Sequence, residues 1–392
     1  MQDSLSYVIV TPYTVAKSRT GGVLARLLSQ LDLELVGAQM FAPDETFAKE
    51  YAATLRVQNA MSNTVTLLAD YVESRFIPSG GRRHRTLLFL FKGQNPCEKL
   101  TKICGHIFPE HIGNESLTGE TIRDTYADLI IDPNDPDKVS YFEPAVMTPR
   151  DQAWADSDLA LFANYLDGKE NIVHNIQYTD PSKMERTLVI IKPDNWQYAS
   201  SRPGNIIDMF SRTGLRIIGV KVHRFTLEQA LDFYGPVEAT LKGKLAPIVG
   251  KKAKAVLEKE FSLTLSERTE KVLIEVFGVE YAYDQFAQIV RFMSGMKPGD
   301  SVSEGKPVKS MILIYEGIDA VRKIRDVLGP TDPLKAPGGT VRREFGSNVM
   351  VNTAHASDSL ESVARESAIV NVNENTLKAI IDEYLGRRFS AS

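Results

Sequence analysis

The chain has 392 residues and a formal net charge of −4, a length that suits two domains and a charge balance that does not suggest a bulk polyanion as the main partner. No apolar run reaches the roughly 18 residues needed to span a bilayer, and Met1-Gln2-Asp3-Ser4 lacks the basic start of a signal peptide. The spacing of Cys97 and Cys104 fits neither a zinc site nor a redox pair, so both are expected as reduced thiols in a cytoplasmic protein. The six histidines are too scattered for a metal centre.

In chain order, Val8–Val10 reads as a first buried strand, followed by a Pro-bearing loop and a helix over GGVLARLLSQ. A second strand is expected at Leu33–Val36, then a helix ending at Tyr51, and a later strand TLLFLFKG closing at Gly93. The polar stretch 167–185 has linker composition. The pattern then returns. Leu188–Ile191 is a strand, and Ile206, Ile207 and Phe210 mark one helix face. Ile217–Val222 is a second strand, a helix ends at Tyr234, and MILIYEG closes at Gly317. TIRD at 121–124 is matched by TVRR at 340–343. Blocks recurring in one order mark an internal repeat. Their sequence predicts an α+β protein of two tandem ferredoxin-like domains (split βαβ, antiparallel sheet) at 1–178 and 184–392. Tyr234 to Gly317 spans 83 residues against 42 from Tyr51 to Gly93. The extra length is placed mainly at about 236–283, read as an extended helical hairpin with the lysines of GKKAKAVLEKE on a solvated face, and partly in the loop 297–309.

The second half carries an ordered set of polar residues. Lys192 ends an apolar strand in IIKPD. Arg325 and Thr331 lie in VRKIRDVLGPTDP, and Arg342 follows the Gly/Pro-rich loop GPTDPLKAPGG. Such a loop leaves backbone N–H groups available, and arginines supply forked donors suited to phosphate oxygens. His355 lies in VNTAHASDS, just before a helix that Asp358 or Ser359 would cap. A neutral imidazole there is a candidate nucleophile.

This set resembles the nucleoside diphosphate kinase family over most of residues 184–370, through IKPD, the Tyr234 segment, RDVLGPTDP, PGGTVR and NxxHxSDSxExxxxE. The resemblance implies that His355 takes the γ-phosphoryl group of a nucleoside triphosphate as phosphohistidine and hands it to a nucleoside diphosphate in a ping-pong cycle. It implies that Lys192 lies near the γ-phosphate and ribose and that Tyr234 hydrogen-bonds the transferred phosphoryl group. Arg325, Thr331 and Arg342 would bind the β/γ-phosphates, Asn352 the ribose hydroxyl, and Val349 the base. Ser357 and Glu366 would orient the nucleophile. Mg2+ would be bound through the nucleotide phosphates. No membrane partner is implied, and a homo-oligomer is. Departures from the family pattern are Asn195 where a glycine is usual, two extra residues before Gly204, Ala356 after the histidine, and Gln285 where an aromatic residue usually faces the base.

The first half keeps Tyr51 and Arg123 but has Thr11 in place of the lysine, Thr101 in place of the first arginine, and no histidine around 136–147. It is expected to be a degenerate copy that docks on the second as an intramolecular pseudo-dimer. A catalytically weak nucleotide-binding regulatory or scaffold protein is the alternative reading. The basic turn GGRRHR at 80–85 and the Lys-rich insertion would serve a nucleic-acid binder.

Overall fold

The computed structural model describes residues 3–30, 32–58, 63–107, 119–174, 176, 178–301 and 305–390. His111 and part of the 297–309 loop lie outside these residues. The first half contains β1 (Ser4–Val10), α1 (Pro12–Ala16), α2 (Thr20–Gln30), β2 (Glu34–Phe41), α3 (Glu45–Gln58), α4 (Asn63–Arg75), β3 (Thr86–Gly93), α5 (Pro96–Cys104) and α6 (Ile122–Tyr126). It continues with β4 (Asp128–Asp132), β5 (Asp135–Glu143), β6 (Val146–Met147) and α7 (Gln152–Leu166). The second half contains β7 (Met184–Ile191), α8 (Arg202–Ser211), β8 (Arg216–His223), α9 (Leu227–Phe261), α10 (Glu267–Leu273), α11 (Val279–Ser294), β9 (Ser310–Ile318) and α12 (Ala320–Leu328). It ends with α13 (Val341–Phe345), β10 (Ala354–Ala356), α14 (Leu360–Ile369) and α15 (Leu377–Ser390).

The chain forms two compact units, one of Met1–Val222, Met311–Ser367 and Asn371–Ser392, the other of His223–Ser310 and Ala368–Val370. The larger unit holds the cores of both halves and the smaller one holds the insertion.

In the larger unit the sheets run β2-β3-β1-β6 and β10-β7-β9-β8. Numbered within each sheet, with the separate β4-β5 hairpin left out, both have the order 4-1-3-2 of the split βαβ fold. The backbone repeats more faithfully than the side chains do. Gly105 and Gly329 close α5 and α12 at φ 85° and 83°, and Ala145 and Thr353 precede the last strand at φ 61° and 77°. Val8 and Val10 of β1 and Val189 and Ile191 of β7 belong to one buried apolar cluster, so the halves share a core. At their contact a Cβ on Gly204 of α8 would lie 2.3 Å from Ala25 N, and one on Gly21 of α2 would lie 2.5 Å from Asp208 N. Only glycine lets the two backbones approach this closely.

The C-terminal helix α15 was not foreseen. It packs on the first half, with Leu377 and Ile381 buried in the cluster that holds Tyr7, Phe47 and Phe162. Asn375 Nδ2 donates to Leu166 O at 2.6 Å and anchors its start.

One local expectation is corrected. The helices do not end at Tyr51 and Tyr234, since α3 runs on to Gln58 and α9 to Phe261. Ala52, Ala53 and Leu55 carry α3 past Tyr51, whereas α9 runs on through Gly235 and Pro236 into the Ala-, Leu- and Lys-rich residues beyond them. His355, just before helix α14 as expected, lies in β10, whose three residues pair with β7.

In the smaller unit, Thr226 and Gln229 form a capping box at the start of α9, whose 35 residues include Pro236 and Pro247. The chain returns through α10, a π-helical turn at Ile274–Gly278 and α11. Gly250 and Gly278 let this hairpin close, because a Cβ on Gly278 would lie 2.3 Å from Ala246 O. Lys254 pairs with Glu270 at 3.0 Å. Among the described residues no helix is long and apolar enough to cross a membrane.

Candidate active site

The register of β7 positions the site. Ile190 pairs with His355 and Ile191 with Ala354, which brings the end of β7 beside β10. Lys192 follows immediately, and its backbone N–H donates to Thr353 O at 3.0 Å. Its side chain is 9% exposed and its Nζ donates to Asn352 Oδ1 at 2.7 Å. Burial, reinforced by the Arg342 guanidinium, lowers the Lys192 ammonium to about 7. The Asn352 amide in turn donates to Val349 O at 2.7 Å and Thr331 O at 3.2 Å. One asparagine therefore joins the lysine to both loops that border the site.

Thr353 is a β-branched residue at φ 77°, a conformation that costs roughly 1–3 kcal/mol unless its surroundings impose it. They do. Asn195 Nδ2 donates to Thr353 O at 2.7 Å and to Lys192 O at 3.0 Å. Arg202 Nη2 donates to Thr353 Oγ1 at 2.9 Å, and also to Phe345 O. Asn195, one of the departures in sequence, is thus a buried staple between the lysine loop and the residue two before the histidine. Neither Arg202 nor Thr353 carried a sequence signal, because each acts through a backbone geometry that spacing does not encode.

The two arginines bracket His355. Arg342 of α13 is buried and donates from Nη2 to Ala354 O and from Nη1 to Gly329 O, both at 3.0 Å. Arg325 of α12 is exposed and donates from Nη1 to Ala356 O at 3.5 Å. The carbonyls just before and just after the histidine therefore fix both guanidiniums beside it.

The His355 side chain is 22% exposed, and its Nε2 lies 2.9 Å from Glu366 Oε2. Ser357 Oγ donates to the same oxygen at 2.7 Å, while Arg365 Nη2 donates to Oε1 at 3.3 Å. Glu366 is buried and projects from α14, whose start is capped by Ser359 Oγ accepting from Ser362 N at 3.1 Å. The Asp358 carboxyl is held below its usual range, chiefly by the Ser362 hydroxyl and further by Arg325 and His355. A carboxylate accepting from Nε2 makes that nitrogen the protonated one, so the lone pair of the neutral ring sits on Nδ1.

Lys192, Arg325, Arg342, Asn352, His355, Ser357 and Glu366 are thus joined by direct hydrogen bonds or adjacent carbonyls. Thr331 contributes its backbone carbonyl to this network, and Val349 stands exposed at 58% on its rim. Tyr234 belongs to the smaller unit, where its ring packs on Phe233 at a centroid distance of 5.0 Å.

The corresponding place in the first half carries different side chains. Ile9 pairs with Met147 as Ile190 does with His355, so methionine occupies the position of His355. Arg123 keeps the role of Arg342, donating to Gly105 O and to Val146 O. Asp158 stands where Glu366 stands, and accepts from Tyr7 Oη at 2.8 Å, Thr54 Oγ1 at 2.9 Å and the Gln58 amide at 3.1 Å. Burial raises its carboxyl to about 6. The Tyr51 hydroxyl lies 3.0 Å from that of Tyr7. The tyrosine that survives in sequence is therefore committed to a core network.

The second half of the chain is similar to known proteins. The family model for nucleoside diphosphate kinase matches residues 185–242 and 269–375, and the gap falls within the helical insertion. The chain is 31% identical over 183 residues to a nucleoside diphosphate kinase of Halorhodospira halophila, covering 47% of this chain and 89% of that protein. It is 32% identical over 186 residues to one of Kosmotoga olearia, covering 47% and 88%. A crystal structure of the Aquifex aeolicus nucleoside diphosphate kinase is 28% identical, with 48% of this chain and 94% of that chain covered at a TM-score of 0.30. With 31–32% identity over 88–89% of the Halorhodospira halophila and Kosmotoga olearia proteins, the chain belongs to the nucleoside diphosphate kinase family and is an enzyme of that class.

Proposed function

We propose that His355 Nδ1 attacks the γ-phosphorus of a nucleoside triphosphate, the bond to the β–γ bridging oxygen breaks, and the nucleoside diphosphate leaves. The terminal oxygen of a second diphosphate then takes the phosphoryl group from the ring, which completes a ping-pong cycle. Charge in such a transfer spreads over three equatorial oxygens. Arg325 and Arg342, anchored beside the ring, and the Lys192 ammonium are the donors that would meet it, with Thr331 on the β/γ-phosphates. Asn352 would bind the ribose, Val349 would lie beside the base, and Tyr234 would contact the transferred group. Glu366, steadied by Ser357, would fix the tautomer and stabilise the ring as it gains charge. Mg2+ enters as the nucleotide's own counter-ion, held by phosphate oxygens and water. That assignment suits a site whose donors are guanidiniums and an ammonium.

We further propose that residues 1–178 and 184–392 are two copies of one domain, the first without catalytic chemistry. Their shared core would stand in for a contact between separate subunits. Homo-oligomerisation and a cytoplasmic setting complete this reading.

The observation that carries the proposal is a partly exposed imidazole with one nitrogen held by a buried carboxylate and two guanidiniums anchored on its flanking carbonyls. Incubation with γ-labelled ATP and magnesium tests it. The expected result is an alkali-stable, acid-labile phosphoprotein that a second diphosphate discharges and that His355→Ala does not form. Equal labelling of parent and variant would refute it. Nucleotide binding without labelling would favour the regulatory reading.

A further inference from the structure

The basic turn GGRRHR at 80–85 has no part in the site around His355. It leads into β3 and lines a cleft of about 610 Å3 in the larger unit, together with the start of β8. Arg82, Arg83, Arg85 and Arg216 line this cleft, with His84 beside them, and among the described residues no carboxylate does. Lys192, Arg325, Arg342 and His355 are not part of its walls.

The charge arrangement is unusual for a structural contact. Arg85 is half-buried, and its Nη1 donates to Ile217 O at 2.6 Å. Burial, reinforced by the neighbouring Arg216 guanidinium, lowers Arg85 to about 10, which is the mark of like charges crowded in a poorly solvated place. Arg216 lies over the Tyr178 ring at 4.5 Å. The nearby carboxylate, Glu316, offsets part of the Arg85 charge, and its oxygens accept from Tyr178 Oη at 2.7 Å and from Arg186 Nε at 2.6 Å. Tyr315, 1% exposed, forms part of the same wall, and its hydroxyl has no hydrogen-bond partner among the described residues. Burying guanidiniums together is unfavourable unless an anion compensates them. Planar forked donors of this kind match phosphate oxygens.

We propose that this cleft is a second ligand site, separate from that of His355, and that it takes a phosphorylated small molecule whose phosphate sits between Arg85 and Arg216. Arg83 supplies a third, more exposed donor. The volume falls within the range of small-molecule pockets. Its walls mix arginines with Ile207, Leu215 and Ile217, which suits a compact ligand with an apolar part better than a polyanionic chain.

Titration calorimetry with inorganic pyrophosphate on the full chain tests this, using the parent, Arg216→Gln and Arg83→Gln. Two binding events are expected in the parent. One should weaken at least about tenfold in both variants while the phosphotransfer rate stays unchanged. Isotherms identical to the parent's in both variants overturn the proposal, and so does a single binding event in the parent. Should Arg216→Gln fail to fold, the exposed Arg83→Gln decides. Inorganic phosphate competing as well as pyrophosphate identifies a free anion as ligand, and ADP competing better identifies a nucleotide. A single-stranded oligonucleotide that binds through these arginines, with no effect of the small anions, contradicts the proposal.

Discussion

Nucleotide binding should carry a proton to Lys192, and the structure sets how large the effect is. Burial and Arg342 hold the Lys192 ammonium at about 7, against an ordinary value of 10.5. At pH 8 the unliganded side chain is about 90% neutral, and recharging it costs about 1.4 kcal/mol per pH unit above 7. A phosphate oxygen beside Nζ restores the charge. Binding of a diphosphate should therefore take up about 0.9 proton at pH 8, about 0.5 at pH 7 and about 0.1 at pH 6. Affinity should fall about tenfold per unit from pH 7 towards pH 10. Calorimetry at pH 8 in two buffers of different ionisation enthalpy measures the uptake directly, and Lys192→Met should abolish it. The reasoning fails if the parent takes up no proton, or if the variant takes up as many. The same depression acts on folding without ligand. Between pH 7 and 10.5 the unfolded chain binds the extra proton. This residue's contribution is thus least favourable below pH 7 and rises with pH across that window.

Glu366→Gln should slow phosphotransfer by roughly 10²-fold or more, because a neutral amide neither fixes the Nε2–H tautomer nor stabilises the charged ring. Steady-state kinetics should show the loss in kcat with little change in KM. Met147→His in the first half should produce no second phosphorylation site by labelling stoichiometry. Thr11 and Thr101 supply no cation there, and Tyr51 is bound to Tyr7. Gly204→Val should lower stability by about 3 kcal/mol or more in denaturant unfolding. Its Cβ would lie 2.3 Å from Ala25 N, a backbone atom that cannot swing aside.

The order of the fold was legible because its strands are short apolar runs and the repeat imposes one order twice. The polar set was legible for the same reason, since Lys192, Arg342 and His355 belong to local blocks of sequence. Other features depend on contacts between distant segments. Leu377 and Ile381 look like any amphipathic turn until α7 and β2 are seen beneath them. The hairpin of β4 and β5, which replaces the loop before β10, follows from pairing that its polar sequence does not announce. Thr353 is held at positive φ by Asn195, Arg202 and Lys192, and threonine at that position gives no hint of it. Asp158 could be matched to Glu366 only once Met147 was seen to share the register of His355.

Phosphorus NMR of the purified phosphoprotein gives the most direct test, because it distinguishes the two nitrogens of a phosphorylated imidazole. With Nε2 donated to Glu366 at 2.9 Å, the phosphoryl group should be found on Nδ1 of His355. Phosphate on Nε2, or on any residue other than His355, would contradict the account.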